Sequence, residues 1–152
     1  MTDVFSAKKR SEIMSRVKNR GNEATELRLI QVLRTHKIKG WRRRAKLFGN
    51  PDFVFPTKRL AVFVDGCFWH SCPVHGELPR SNRAFWLKKL SRNQERDKRV
   101  CRQLEALGWH VLRIWQHDLS HPAVVAGRIT KMLTRQYALG AADGRKSKLR
   151  RN

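Results

Sequence analysis

Residues 60–64, LAVFV, constrain the fold of this chain more than any other stretch. The run is continuously apolar, which predicts a strand that is covered on both faces. The β-rich segment PDFVF precedes it, and a Pro-Thr-Lys-Arg turn lies between the two. The pair therefore predicts a β-hairpin whose second strand is central in a sheet. Asp52 and Asp65 would then lie near the same end of that sheet.

Patterns on both sides of the hairpin predict the elements that cover it. We expect a helix over residues 22–36, a basic edge strand over 41–47, a long helix over 81–107 that ends at Gly108, a buried strand over 109–115 and a last helix over 122–139. A chain of 152 residues fits one domain of ordinary size. We predict a basic arm or helix over residues 1–20, a single domain over 21–139 and a basic tail over 140–152, disordered in isolation.

The charge of the chain points to a polyanionic partner. Its 34 Lys and Arg residues face only 12 Asp and Glu, for a formal charge of +22. Such an excess repels itself unless a polyanion is bound, and nucleic acid is the obvious candidate. No stretch has the run of about 18 apolar residues that a membrane span needs, and the N-terminus lacks a signal peptide's apolar run. We expect a cytoplasmic, nucleoid-associated protein.

The densest chemistry lies in residues 62–76, VFVDGCFWHSCPVHG. Phe68 and Trp69 are adjacent after a tight turn, so at least one of them should be exposed. In a chain this basic, exposed aromatic rings indicate stacking on bases or wedging between base pairs. For Trp69 and Trp86 we favour this role, whereas Phe85 and Trp109 are expected in the core.

A second pattern in this stretch is that of a metal site. Cys72 and His75 form a C-x-x-H pair that a proline turn can bring to one tetrahedral ion. Asp97 and His117 are available to close a four-ligand site, which would be structural because no position is left for water. We read the remaining cysteines, Cys67 and Cys101, as small core residues.

The acids of the hairpin suggest a reaction. Cleavage of a phosphodiester by a metal nuclease needs carboxylates that hold Mg²⁺ and a group that activates water. Asp52, with Asp65 and Glu26 nearby, could supply the carboxylates, although Glu26 reads by default as a solvated helix charge. His70 could accept the proton of water, but it lies only two positions before Cys72, so it could equally be a zinc ligand.

Four motifs together resemble those of the very short patch repair (Vsr) endonucleases. They are PDFVF, GCFWH, FWLxKLxRNxxRD and GWxVLxxW, and the similarity extends over residues 10–118. The resemblance implies a restriction-endonuclease-like α/β core, with a central mixed β-sheet flanked by helices and a structural zinc site. It also implies a Mg²⁺-dependent enzyme that nicks DNA 5′ to the thymine of a T:G mismatch left by deaminated 5-methylcytosine.

The resemblance also assigns roles to individual residues. It makes Asp52 the Mg²⁺ carboxylate, with the main chain of Val64 at the metal, and His70 the general base. It matches Glu26 to an acid on the N-terminal helix. It further implies intercalation by Phe68, Trp69 and Trp86, and structural zinc bound by Cys72, His75, Asp97 and His117.

Three residues depart from the family pattern. Val64 replaces a threonine, Asp65 replaces a histidine and His117 replaces a cysteine. Asp65 has therefore either added a carboxylate for metal or removed a helper in proton transfer.

The expected partner is double-stranded DNA with a T:G mismatch, bound by a monomer, and mismatch-repair proteins are candidate partners. A related nuclease of different specificity and a non-catalytic basic DNA-binding module are the alternatives.

Overall fold

The fold is taken from a computed structural model that describes residues 23–75 and 77–148. The predicted basic arm over residues 1–20 lies outside the described residues, as do Gly76 and residues 149–152. Among the described residues, no helix is both long enough and apolar enough to cross a membrane.

A four-stranded mixed sheet forms the centre of the protein. Its strands are β1 (Arg42–Arg43), β2 (Phe53–Phe55), β3 (Leu60–Asp65) and β4 (His110–Trp115), in the order β1-β2-β3-β4. The first two pairings are antiparallel, and β3 pairs parallel with β4. A short 3₁₀ turn over Pro56–Lys58 joins β2 to β3, which confirms the predicted hairpin and the central position of its second strand.

Within the described part of the chain, three helices cover the two faces of the sheet. They are α1 (Glu23–Thr35), α2 (Arg83–Ala106) and α3 (Pro122–Lys148). The parallel pairing of β3 with β4 requires a long crossover, and α2 supplies it. The α/β class, with a central mixed sheet flanked by helices, is therefore confirmed.

The side chains of strand β3 alternate between two hydrophobic cores. Leu60 and Val62 face a large core that includes residues of α1 and α3, whereas Ala61 and Phe63 face a smaller core with Val100 and Leu104 of α2. Because side chains alternate along a strand, Asp65 is directed to the same face as Phe63. This alternation carries Asp65 toward α2.

Two predicted elements differ in extent from those observed. The strand expected over residues 41–47 is only Arg42–Arg43, because Arg44 follows with a φ of +52°, which ends extended backbone. The last helix continues to Lys148 and does not end near Leu139. The start of that helix at Pro122 is as predicted, with proline in the first turn.

Candidate active site and metal centre

One helical turn after β3 directs the side chains of residues 66–75 to two different sites. His70 N–H donates to Gly66 C=O, Ser71 N–H to Phe68 C=O and Cys72 N–H to Cys67 C=O, at 3.2, 3.3 and 2.8 Å. The last two bonds, with Ser71 at a φ of +55°, form a Schellman closure. The closure folds Cys72 back over Cys67, while His70 lies on the opposite side, against α2.

The first site is a small cleft at the end of β3. Its lining includes most of the predicted catalytic residues, together with two arginines: Asp52, Val64, Asp65, His70, Arg96, Asp97 and Arg113. The structure brings Asp52 and Asp65 together, as the hairpin predicted, and places His70 in the same cleft.

Asp52 carries the carboxyl group whose ionisation is most perturbed in the cleft. Burial raises its pKa to about 6, and the charges of Glu26 and Asp65 add to the rise. The N–H of Val64 opposes this by donating to Asp52 Oδ2 at 2.8 Å. No described residue donates to the other carboxylate oxygen, Oδ1, which is therefore open to a ligand.

His70 is held by a carboxylate at one of its two ring nitrogens. Its Nδ1 lies 2.5 Å from Asp97 Oδ2 and 3.8 Å from Asp65 Oδ1. Burial alone would raise the pKa of Asp97, but the hydrogen bond with His70 and the charge of Arg113 lower it, so this carboxyl is ionised. The arrangement orients the imidazole and leaves Nε2 free for a substrate or water.

Asp65 is bound to an arginine that the sequence analysis did not single out. Arg113 Nη1 donates to both of its carboxylate oxygens, at 2.8 and 3.0 Å, and Arg113 Nη2 lies 3.5 Å from Asp97. Arg113 Nε donates to Cys101 Sγ at 3.4 Å. Although burial would lower the pKa of Arg113, the charge of Asp65 raises it, so the guanidinium remains charged.

Glu26 is buried, which corrects the expectation of a solvated helix charge. It is 4% exposed and forms an ion pair with Arg43 of β1. Glu26 does not line the cleft, but its charge reaches Asp52.

The second site is a cluster of Cys67, Cys72, His75 and His117. One ligand atom from each of the four residues lies within 4.8 Å of the other three. The measured pairs are Cys67 Sγ to His117 Nδ1 at 3.3 Å, Cys72 Sγ to His117 Nδ1 at 3.5 Å and Cys72 Sγ to His75 Nδ1 at 4.0 Å. Tetrahedral zinc separates sulfur and nitrogen ligands by about 3.6 Å, so this donor set fits zinc.

The predicted zinc ligand set is wrong at one position. Asp97 does not join Cys72, His75 and His117, because α2 directs it to His70 and Arg113. Cys67 takes its place, since the Schellman closure brings it to Cys72, so its prediction as a core residue is also wrong. The exchange replaces one carboxylate by one thiolate, so the formal charge of the occupied site stays zero.

The aromatic residues form a packed cluster, and this corrects their predicted exposure. Trp69 and Trp86 are 7% and 8% exposed, whereas Phe85, which was expected in the core, is 58% exposed. Phe68 is half-buried, and its ring centroid lies 5.3 Å from that of Trp69 and 5.4 Å from that of Trp86. The Nζ atom of Lys89 lies 4.9 Å from the centre of the Trp69 ring.

Helix α2 contains the signal that could have located Asp97. Its buried residues lie three or four positions apart, except for a gap of seven between the third and the fourth: Trp86, Leu90, Asn93, Val100 and Leu104. Asp97 falls on the same stripe, four residues after Asn93, whose amide donates to Trp69 C=O at 3.2 Å. A polar pair on a buried helical stripe indicates residues that hold a neighbouring segment.

Comparisons with known proteins identify the family. The family described as "DNA mismatch endonuclease Vsr" matches residues 2–75. The type II nicking enzyme V.XorIIP of Xanthomonas oryzae pv. oryzae is 36% identical over 88% of this chain and 98% of its own length. The chain belongs to the Vsr family of DNA mismatch endonucleases.

Two further relatives agree with this membership. DNA mismatch endonuclease Vsr of Escherichia coli (strain K12) is 37% identical over 76% of this chain and 74% of its own length. The type II nicking enzyme V.NaeI of Lentzea aerocolonigenes is 51% identical, but over only 51% of this chain and 46% of its own length. The Vsr-family protein is thus a nuclease that acts on the phosphodiester bonds of DNA, as the motifs predicted.

Proposed function

We propose that this protein is a Mg²⁺-dependent enzyme that nicks DNA 5′ to the thymine of T:G mismatches arising from deaminated 5-methylcytosine. One observation carries the proposal: the cleft combines a carboxylate with an open oxygen, Asp52, and an imidazole held at Nδ1, His70. Together they provide a position for a divalent cation and a base for water within one cleft.

Asp52 is the residue that would hold Mg²⁺, together with the main chain of Val64. Its pKa of about 6 reflects a carboxylate buried near other acids, and a bound cation would offset that cost. An ion held at Asp52 would supply Lewis-acid stabilisation of the negative charge that develops at the scissile phosphate. Asp65 contributes negative charge to the cleft, and Arg113 holds it in place.

His70 is the general base of the proposed reaction. Because Nδ1 is bound to Asp97, the lone pair on Nε2 is available to accept the proton of the attacking water. Asp97 then stabilises the imidazolium that forms, as the carboxylate of a catalytic triad does. Glu26 acts from a distance, through its charge on Asp52.

The aromatic cluster would open the duplex beside the mismatch. Phe68 is half-buried and is the most accessible of the three rings assigned to intercalation, and Trp69 and Trp86 pack against it. A mismatched step costs less to unstack than a paired one, so an aromatic wedge favours the mismatch. We therefore assign to all three residues the intercalating role that the family resemblance implies. Phe68 would be the first of them to contact the bases.

Zinc at Cys67, Cys72, His75 and His117 would stabilise the turn that holds His70 and Phe68. Four protein ligands would leave no position open for water, so an ion bound there would be structural. We further propose a monomer that acts at the nucleoid in the cytoplasm, with mismatch-repair proteins as candidate partners.

The test compares labelled duplexes that differ at one base pair, T:G against C:G, in a panel of flanking sequences with Mg²⁺. We expect a single nick 5′ to the mismatched thymine, no cut in the C:G duplex and no reaction in EDTA. Asp52→Ala is the matched control, which should bind DNA and leave both strands intact. Equal cutting of T:G and C:G duplexes, or no cutting of T:G in any context by folded protein, would contradict the proposal.

A nicking enzyme of different specificity is the second candidate. Relatives that cover most of this chain carry the name type II nicking enzyme, which favours a nick as the product without fixing the sequence. The same panel of duplexes decides between the two candidates. An enzyme of different specificity would cut a duplex other than the one that carries T:G.

A further inference from the structure

Arg96 lies in the catalytic cleft and has no role in the function proposed so far. It is half-buried on α2, next to Asp97, and it lines the same cleft as Asp52 and His70. Its charge helps to lower the pKa of Asp97, but among residues 23–75 and 77–148 it forms no ion pair or hydrogen bond of the kind that Arg113 forms with Asp65.

The other arginine of the cleft is already committed. Arg113 donates to Asp65 through Nη1 and to Cys101 through Nε, and its guanidinium carbon lies 4.5 Å from the centre of the Phe63 ring. Rotating it toward a substrate would leave the buried Asp65 carboxylate unpaired, which is strongly unfavourable. Arg113 therefore has a structural role, whereas Arg96 is available to bind a ligand.

The charges of the cleft leave a position for a cation that faces the substrate. Asp52, Asp65 and Asp97 carry three negative charges when ionised, and a phosphodiester brings another. A guanidinium presents several N–H donors in a planar fork that fits two phosphate oxygens. Charge also grows on the non-bridging oxygens as water attacks phosphorus, so a cation there acts most strongly in the transition state.

We propose that Arg96 is a catalytic residue that donates to a non-bridging oxygen of the scissile phosphate. The inference rests on the proposed phosphodiester cleavage. In that step the water oxygen bonds to phosphorus, one phosphorus–oxygen ester bond breaks, the proton of water passes to His70 and the leaving oxygen takes a proton from solvent. Arg96 keeps its own proton throughout.

Single-turnover nicking of the duplex that the wild-type protein cuts best tests this role. We expect Arg96→Ala to lower the rate constant about 100-fold, the effect of losing one donor to a developing oxyanion. The dissociation constant for the same duplex should change less than about threefold, because one phosphate contact among many contributes little to binding. Arg96→Lys should recover part of the rate.

The matched control is Arg99→Ala, which removes an exposed arginine one turn further along the same helix. It should leave the rate constant within about threefold of the wild type. Thermal unfolding by circular dichroism checks that each variant is folded.

A modified substrate separates contact with the phosphate from a structural effect. One non-bridging oxygen of the scissile phosphate is replaced by sulfur, as each of the two diastereomers. Sulfur accepts hydrogen bonds poorly, so one diastereomer should slow the wild type and Arg99→Ala more than it slows Arg96→Ala.

Equal slowing in all three proteins, or a wild-type rate for Arg96→Ala, overturns the role of Arg96 and leaves the proposed function standing. No cutting of any duplex by the folded wild type overturns both.

Discussion

The acidic cleft and the Cys/His cluster are adjacent in sequence, since His70 of the cleft lies two positions before Cys72 of the cluster. The interactions within the two sites are nevertheless different. The cleft is held by charge pairs within the protein, in which Arg113 joins Asp65 and Asp97 joins His70. The cluster brings four donors together with no cation from the protein among them. The cleft is therefore held by pairs within the protein, whereas the cluster is a set of donors that one bound ion would hold together.

The separation of the two sites comes from the backbone. Ser71 has a φ of +55°, and the bond from Cys72 N–H to Cys67 C=O reverses the chain after a single turn. His70 consequently lies against Asp97, while Cys72 lies against His117. Distance along the sequence is a poor guide to which site a residue joins when a turn intervenes.

Among the variants that test the separation of the two sites, His70→Ala should have the largest effect. We expect the nicking rate to fall about 10²-fold to 10⁴-fold, because a general base is lost, while the zinc content stays unchanged. Single-turnover nicking and elemental analysis of the purified variant measure both.

His75→Ala is the matched control, since it removes a histidine five positions away that lies in the cluster. It should lower the zinc content. If His70→Ala lost zinc as well, the two regions would not be distinct, and His70 would be a ligand.

The sequence was sufficient for the elements that carry strong patterns. The PDFVF hairpin, the apolar strand β3, the crossover helix α2 and the meeting of Asp52 with Asp65 all follow from period and turn chemistry. The presence of Cys67 in the cluster in place of Asp97 does not follow from the sequence. It depends on Ser71, which has a positive φ at a position where glycine is usual.

The Arg113–Asp65 pair was missed for a similar reason. It joins neighbouring parallel strands, so it depends on the register between β3 and β4. Nothing in either strand alone indicates this register.

A smaller effect concerns the stability of the cleft, through Asp52. Its pKa is about 6 in the folded protein and 3.8 is its ordinary value, so between these values the folded state binds more protons than the unfolded state. Stability therefore falls as pH rises from about 4 to about 6, and the cost is fully present above that range. Asp52→Asn removes it.

We expect Asp52→Asn to be more stable than the wild type by about 1–2 kcal/mol at pH 8 without divalent cations, or roughly 4 °C in unfolding temperature. The difference should vanish near pH 4, where Asp52 is protonated in the folded wild type. Adding Mg²⁺ should raise the unfolding temperature of the wild type but not that of the variant. An advantage of equal size at both pH values would contradict the assignment of the cost to Asp52 ionisation.

The most direct test of the central claim is the zinc content of Asp97→Asn and Cys67→Ser, measured side by side with the wild type. The two sites are distinct in this account, so Asp97→Asn should retain about one zinc per chain while its nicking slows at least about tenfold. Cys67→Ser should lose zinc and unfold at a lower temperature. Loss of zinc from Asp97→Asn, with zinc retained in Cys67→Ser, would contradict it.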